Sequence, residues 1–372
     1  MRIVFTGGGT GGHLYPIIAV AREIKRIAEE ERILDLQLFY FSPEAVPPQS
    51  VEEEEIVFRH ITAGKLRRYV SFQNVTDIFK IVFGIFQAIW SMFLVMPDVV
   101  FAKGGYGSFP TLLAARIYRI PVLIHESDAV PGRVSQWAGR WVARAAISFQ
   151  ETGRYFPAVS RAFTGIPIRK RILWGNVDQA REILGIFSPR PVILIMGGSQ
   201  GARVINETVT QILKDLVGQY EVIHQAGEKN FEDVRLETMS ILGREGATYY
   251  HLAGFFNESE LDSAYLLSDL IISRAGATSI FEIAARGKPA IVIPIENSAQ
   301  DHQRKNAYAY AGHGAAVVIE EGNLTPSVLF NEIQKLMADP ERRKKLSEAA
   351  QRFSRVDAAE ILAKEILKLG LH

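Results

Sequence analysis

The feature that most constrains this chain is a short apolar run that breaks into glycine, and it occurs more than once. Arg2 to Thr6 is apolar and β-rich, and Gly7-Gly8-Gly9-Thr10-Gly11-Gly12-His13 ends it. Apolar residues at helical spacing follow from Leu14 to Glu30, so the segment reads strand, glycine turn, helix. Pro191 to Met196 repeats the pattern ahead of Gly197-Gly198-Ser199-Gln200-Gly201. Leu36 to Phe41, Val99 to Ala102 and Val122 to Ile124 read as further buried strands of the first half. Val222 to His224, Leu270 to Ser273 and Ala290 to Pro294 do the same in the second. Strands alternating with helices predict an α/β fold with parallel, doubly wound sheets. The chain has 372 residues, more than the roughly 250–300 that one core sustains. Two Rossmann-like domains facing across a cleft are therefore expected, at 1–164 and 165–350, with the boundary at Thr164-Gly165 before Pro167. A C-terminal helix, Ala358 to Leu369 within 351–372, follows, with the option of packing back on the first domain. Asp357 is its expected N-cap and Gly370 its stop. Glu52 to Glu55 reads as a solvated acidic loop.

Glycine lets the backbone approach a ligand, and the amides of a helix N-terminus favour anions. Any one such turn can also be a tight reversal with no ligand. Gly104-Gly105-Tyr106-Gly107-Ser108 is a third glycine-rich turn after a strand. Three turns at strand C-terminal ends converge in a doubly wound arrangement, where ligands bind in the crevice. Gly7, Gly9 and Gly12 also match the dinucleotide fingerprint. Its acidic residue, expected about 20 positions on at the end of the second strand, is missing, because only flanking Asp35 is near. A dehydrogenase is disfavoured. A formal net charge of +1 gives no bulk argument for nucleic acid. The absence of cysteine excludes disulfides, thiolate metal sites and cysteine nucleophiles. Met1-Arg2 leads straight into the first strand, so no signal peptide is expected.

Gly8-Gly9-Thr10-Gly11-Gly12-His13, Gly104-Gly105-Tyr106, His125-Glu126, Gly197-Gly198-Ser199-Gln200-Gly201-Ala202, Gly276-Ala277-Thr278 through Glu282, and His302-Gln303 together resemble the MurG family. These are the UDP-N-acetylglucosamine (UDP-GlcNAc) transferases that convert lipid I to lipid II in peptidoglycan synthesis. The motifs fall in order along nearly the whole chain. The resemblance implies the two-domain GT-B fold, an inverting mechanism, no catalytic metal and a place at the cytoplasmic face of the bacterial membrane. It implies a donor held mainly by the C-terminal half. Ser199 and Arg169 would meet the diphosphate and nucleotide region, and Phe256 would lie beside the uracil. Ala277, Thr278, Ser279, Ile280, Phe281 and Glu282 would form the loop and helix start under the nucleotide, with Glu282 on the ribose hydroxyls. His302 and Gln303 would touch the sugar hydroxyls. Thr10, Gly11, Gly12 and His13 would approach from the N-terminal half, with Asp128 also on the donor side.

His13 is the expected general base, since imidazole accepts a proton near neutral pH; a structural contact or a phosphate ligand is the other reading. Glu126 is the second catalytic candidate. Gly104, Gly105, Tyr106 and His125 are assigned to the acceptor. Lys103 either meets the acceptor diphosphate or is solvated. Three departures stand out. The family usually reads His-Glu-Gln-Asn where this chain has His125-Glu126-Ser127-Asp128, and an ionised Asp128 only accepts hydrogen bonds. A Gly-Asn-Pro triplet becomes Gly165-Ile166-Pro167, and a Gln-Gln pair of some members becomes His302-Gln303. No Asp-x-Asp occurs in the sequence, so the charge of the leaving UDP falls to Gly197 to Ala202, Gly276 to Ser279 and Arg169. The rival readings are another GT-B glycosyltransferase acting on a lipid or small molecule, an NDP-sugar epimerase on the same fold, and a nucleotide-binding scaffold without catalysis.

The apolar stretch from Ile78 to Met96 is nearly long enough to span a bilayer. Lys80 and Gln87 interrupt it and Pro97-Asp98 stops it. Asp77, Lys80, Gly84, Gln87, Ala88 and Ser91 form a narrow polar and small stripe beside a wide apolar arc. A spanning helix is disfavoured because it would pull the strand Val99 to Ala102 out of its sheet. A fully buried helix is one reading; the favoured one is a peripheral membrane-docking face that exposes some of Phe79, Phe83, Phe86, Trp90 and Phe93. Lys65, Arg67 and Arg68 would meet anionic headgroups.

Overall fold

A computed structural model of the chain describes residues 1–8, 11–44, 51–65, 72–197, 202–296 and 298–371. It divides into two units, Met1–Arg169 with Arg355–His372, and Lys170–Ser354. The first division falls after Arg169 because Ile166 and Ile168 are buried and the His125 ring holds the Gly165 carbonyl at 2.8 Å.

The N-terminal unit is built on one parallel sheet. Its strands are β1 (Arg2–Thr6), β2 (Gln37–Ser42), β3 (Ile56–His60), β4 (Val99–Ala102), β5 (Val122–Glu126), β6 (Arg144–Ile147) and β7 (Arg161–Phe163), in the order β3-β2-β1-β4-β5-β6-β7. Helices α1 (Gly11–Glu30), α2 (Phe72–Val95), α3 (Phe109–Ile117) and α4 (Arg133–Ala138) cover it. The C-terminal helix (Ala358–Leu371) also belongs here. Its Leu362, Ala363, Ile366 and Leu367 join Leu14, Ile17, Ile24 and Phe101 in one core, and Glu365 pairs with Arg144 at 2.7 Å. Full burial of a side chain such as Leu362 stabilises by about 1.5–3 kcal/mol.

The C-terminal unit repeats the plan. Its strands β8 (Val192–Met196), β9 (Glu221–Gln225), β10 (Tyr250–Ala253), β11 (Leu270–Arg274), β12 (Ala290–Ile293) and β13 (Val317–Val318) lie parallel in the order β10-β9-β8-β11-β12-β13. Its helices are α5 (Val177–Leu184), α6 (Arg203–Val217), α7 (Phe231–Ala247), α8 (Glu258–Leu267), α9 (Ala277–Arg286), α10 (His302–Gly312), α11 (Pro326–Ala338) and α12 (Pro340–Phe353). In each sheet the strand order reverses beside the first strand, between β1 and β4 and between β8 and β11. Those are the points where a doubly wound sheet opens for a ligand.

The strands that the sequence pattern did not reveal are mostly edges. β3, β7 and β10 alternate with or lie among partly exposed residues, and β13 has two residues. β6, inside the sheet, reads Arg-Ala-Ala-Ile, and alanine has little strand preference. The acidic run 52–55 is not a plain solvated loop, because Glu54 is buried and pairs with Arg22 at 2.6 Å. Glu55 pairs with Lys25 at 2.9 Å. Two carboxylates are thereby drawn back onto α1.

The long apolar helix α2 turns the small members of its stripe inward, while Lys80 stays exposed. Asp77, Gly84, Ala88, Met92 and Val95 are buried. The Gln87 amide takes the Thr62 N–H at 2.9 Å and donates to the His60 carbonyl at 2.7 Å. Met96, at φ 47°, ends the helix. Asp98 then ties to β1, its N–H reaching the Arg2 carbonyl and its carboxylate accepting the Arg2 N–H at 2.7 Å. Since β4 sits between β1 and β5, α2 cannot leave the unit without drawing out a central strand. At Gly84 a Cβ would lie 1.8 Å from the Thr62 carbonyl oxygen. Gly84→Ala is expected to destabilise the protein by about 1–3 kcal/mol, read as a lower denaturant midpoint; an unchanged midpoint would mean that α2 does not pack on its small face.

Candidate active site

In the N-terminal unit the site grows from the ends of β1, β4 and β5. The turn after β4 passes against the start of α1 with no room for side chains. A Cβ at Gly105 would lie 2.9 Å from the His13 ring, and one at Gly104 would lie 2.4 Å from Ser135 Oγ. Both glycines have left-handed φ, 71° and 77°, which glycine adopts at little cost. The turn after β1 is held by the Tyr40 hydroxyl, which donates to the Gly8 carbonyl at 2.9 Å. The Gly8 N–H in turn donates to His13 Nδ1 at 2.9 Å. With Nδ1 accepting, the neutral His13 ring carries its proton on Nε2. Burial, and then Lys103, lower the His13 pKa to about 4, so the ring is uncharged at neutral pH.

A buried charged cluster lies beside it. Lys103 Nζ donates to His125 Nδ1 at 2.6 Å and to Ser127 Oγ at 2.5 Å. His125 Nε2 donates to the Gly165 carbonyl, which fixes the tautomer: Nε2 protonated, Nδ1 accepting from the ammonium. Burial, then Lys103, hold the His125 pKa well below its usual value. Glu126 closes β5 with its carboxylate accepting from the Asp128 N–H at 3.1 Å and the Gly132 N–H at 3.3 Å. Burial, then Asp128, push its pKa up to about 7. Burial pulls Lys103 down to about 7, opposed by Glu126 and Asp128. An acid and a base moved toward the same pH at strand ends are a mark of a functional site.

The remaining N-terminal assignments are placed as follows. Tyr106 is half-buried; its hydroxyl donates to Glu44 at 2.5 Å and its ring lies 5.9 Å from the Lys65 ammonium. Arg169 ends this unit and stacks its guanidinium over Tyr15 at 5.0 Å. Asp128 lies on the Glu126 turn, its carbonyl accepting from Thr152 Oγ1 at 2.9 Å. Lys103 is buried, which removes the solvated reading. Gly11 and Gly12 begin α1. Thr10, Arg67, Arg68 and, in the other unit, Ser199 lie outside the described residues.

In the C-terminal unit, α9 starts at Gly276 directly after β11. No described side chain caps this end and no acid sits in its first turn. The amides of Ala277, Thr278 and Ser279 therefore have no carbonyl one turn back to accept them, and the helix dipole favours an anion there. Glu282 is buried one turn later, and the Tyr265 hydroxyl donates to it at 3.1 Å. The side chains of Ile280 and Phe281 are buried in the core, Phe281 against Phe353 at 5.0 Å, so they position the helix. Phe256 is buried and its N–H reaches the Gln225 side chain at 3.4 Å. Gln303 accepts the Ile295 N–H at 3.1 Å. His302 opens α10 behind Gln300 and Asp301, both at φ 58°, a strained pair of the kind found at ligand sites. Sequence reasoning missed Tyr265, Gln225 and the Gln300-Asp301 pair, none of which lies in a glycine motif.

A cavity of about 670 Å³ in this unit lies at the amino-terminal ends of β8, β11 and β12, lined by Val192, Asp269, Arg181, Arg190, Lys288 and Arg343 among others. Its four cations each donate to carbonyls near a helix end: Arg181 to Ser188, Arg190 to Val217, Lys288 to Leu266 and Arg343 to Leu336. They neutralise helix dipoles, so the cavity adds nothing to the site.

Residues 3–147 match the glycosyltransferase family 28 N-terminal domain and residues 192–362 its C-terminal domain. A UDP-N-acetylglucosamine–N-acetylmuramyl-(pentapeptide) pyrophosphoryl-undecaprenol N-acetylglucosamine transferase of Legionella pneumophila (strain Paris) is 37% identical over 337 residues, 90% of this chain and 88% of that protein. Its namesake, numbered 2, from Bacillus thuringiensis subsp. konkukian is 34% identical over 92% of this chain and 93% of that protein. The crystal structure of Acinetobacter baumannii MurG superposes with a TM-score of 0.75 at 27% identity, covering 99% of each chain. The UDP-GlcNAc 2-epimerase of Neisseria meningitidis reaches a TM-score of 0.70 at 15% identity, covering 99% of this chain and 100% of that one; that likeness is of fold alone.

Proposed function

The chain belongs to the MurG family of glycosyltransferases, and we propose that its two units divide the reaction, the C-terminal unit holding the donor and the N-terminal unit the acceptor and the base. The reaction is transfer of N-acetylglucosamine from UDP-GlcNAc to the N-acetylmuramyl group of lipid I, forming lipid II in peptidoglycan synthesis. In a single inverting displacement the acceptor hydroxyl attacks C1 of the donor sugar, the bond from C1 to the diphosphate oxygen breaks, and the hydroxyl proton passes to a base. Glu126 is that base. The observation that carries the assignment is its burial at the end of β5, which sets its pKa to about 7, where a carboxylate is both available and basic enough to take a proton. His13, with Nδ1 engaged by Gly8, offers its Nε2–H to a substrate oxygen and is a donor rather than the base in this arrangement.

Charge developing on UDP is met by the amides of Ala277 to Ser279, with Ser199 and Arg169 as further contacts. Glu282, steadied by Tyr265, takes the ribose hydroxyls; His302 and Gln303 take the sugar; Phe256 lies beside the base. The acceptor side comprises Gly104, Gly105, Tyr106 and His125. The reading needs no metal, in keeping with a sequence that lacks Asp-x-Asp. Glu126→Gln is expected to lower kcat by about 10²–10⁴-fold while leaving UDP-GlcNAc binding unchanged, as measured by steady-state transfer and calorimetry; turnover like that of the wild type would remove Glu126 from this role.

The place of the reaction is a peripheral one, on the cytoplasmic face of the membrane. Phe79, Phe83, Phe86 and Trp90 are 72%, 63%, 68% and 63% exposed on α2, a run of large apolar side chains at helical spacing that water disfavours. Lys65 lies just upstream, with Arg67 and Arg68, and suits anionic headgroups. Phe83→Asp with Phe86→Asp is expected to abolish most sedimentation with anionic liposomes while transfer to a short-chain, water-soluble acceptor persists. Equal sedimentation of variant and wild type would exclude α2 as the docking face.

A further inference from the structure

The turn after β5 carries two acidic side chains, Glu126 and Asp128, and Asp128 raises the Glu126 pKa. The ammonium that answers them comes from a different strand. Lys103, the last residue before the β4 glycine turn, is buried and reaches across to β5, to His125 Nδ1 at 2.6 Å and Ser127 Oγ at 2.5 Å. One cation thus touches the two residues that flank Glu126.

We propose that Lys103 is a positioning residue of the acceptor side: with Ser127 and Asp128 it forms one electrostatic unit that fixes the His125 ring and the Glu126 turn. The inference rests on reading the N-terminal site as the acceptor side. The geometry divides the work. The ammonium locks His125 with Nδ1 accepting, so that Nε2 is committed to Gly165. It also holds the Ser127 hydroxyl, and with it the peptide between Glu126 and Asp128. A buried ammonium left without acid partners would be costly, as would two neighbouring acids without a cation. Lys103, Ser127 and Asp128 therefore stand or fall together. The charged and titratable groups facing the ammonium are His13 from α1, with Glu44 beyond it, and His125, Glu126 and Asp128 from β5 and its turn.

The signs follow from these neighbours. The Lys103 ammonium is present below about pH 7 and lost above it, whereas the Glu126 carboxylate is present above about pH 7 and lost below it. Acceptor kcat/KM is then bell-shaped about neutrality. Lys103→Met keeps the length and removes the charge. It is expected to lower acceptor kcat/KM about tenfold or more at neutral pH, with donor KM unchanged. The alkaline limb should disappear, and the acidic limb should move to higher pH, because the ammonium that lowers the Glu126 pKa is gone. Asp128→Asn should move both limbs to lower pH, since Asp128 raises both groups.

The test is a pH–rate series on purified protein with UDP-GlcNAc and a water-soluble lipid I analogue. It compares wild type, Lys103→Met, the pair Ser127→Gln with Asp128→Asn, and all three changes together. The expected result is that the triple variant is more active than Lys103→Met alone, the non-additive signature of coupled residues. Additive losses, or a Lys103→Met profile that overlays the wild type, would overturn the proposal. Should Lys103→Met lose its cooperative melt, Asp128→Asn decides: unmoved limbs overturn the proposal and limbs shifted to lower pH support it. Wild-type transfer with unmoved limbs refutes this inference alone; a wild type that transfers nothing to the analogue overturns the acceptor reading and the inference with it.

Discussion

The N-terminal site depends on a close approach that only glycine permits. The turn after β4 runs against the His13 ring and Ser135 with separations that leave no space for a Cβ at Gly104 or Gly105. That approach presses His13 onto the Gly7-Gly8 backbone and leaves Lys103 directed inward under the turn. It also removes water from the end of β5. The desolvation that dominates the shifts of His13, Lys103, His125 and Glu126 is the electrostatic consequence of this backbone contact, since burial disfavours the charged form of each group. A larger residue at either glycine would open the cluster to solvent and return its groups toward their ordinary behaviour.

The two units meet negative charge by different means. In the C-terminal unit the groups are fixed in place: backbone amides at the start of α9, a helix with no acid in its first turn, and Glu282, which accepts from the Tyr265 hydroxyl. Backbone amides carry no titratable proton and suit a diphosphate. In the N-terminal unit the groups are titratable and mutually dependent, as a proton transfer requires. The same strand–turn–helix plan yields both. The start of α9 after β11 presents amides, whereas at the ends of β4 and β5 it is the side chains of Lys103, His125 and Glu126 that are gathered.

Much of this was legible in the sequence. The central strands are continuous apolar runs, and each ends in glycine, proline or a charged residue, so β1, β4, β5, β8, β11 and β12 could be read within a residue or two. The edge strands could not, because a strand paired on one side needs no such run. Glu54 looked solvated because its partner, Arg22, is 32 positions away. α2 could be read as amphipathic, but which side faced inward depended on Gly84 meeting the backbone at Thr62, a contact that leaves no trace in spacing. Motifs drew attention to His13, Glu126, Ala277 to Ser279 and Glu282, which lie in the first turn of α1, at the end of β5 and in the first turns of α9. The site was not legible where a role comes from a partner on another strand. Lys103 read equally as solvated, and only the fold brings it to His125 and Ser127. His13 read as a base because imidazole often is one, and the Gly8 N–H on its Nδ1 is a contact that the sequence does not show.

The central claim is that this chain transfers a sugar from a nucleotide to a lipid-linked acceptor with its own side chains and amides. The most direct measurement is incubation of purified protein with labelled UDP-GlcNAc and lipid I in the presence of EDTA, following label into the lipid fraction. The account predicts label in a disaccharide lipid, at a rate that EDTA does not reduce. Tight UDP-GlcNAc binding with no label in the lipid, or transfer that EDTA abolishes and a divalent cation restores, would contradict it.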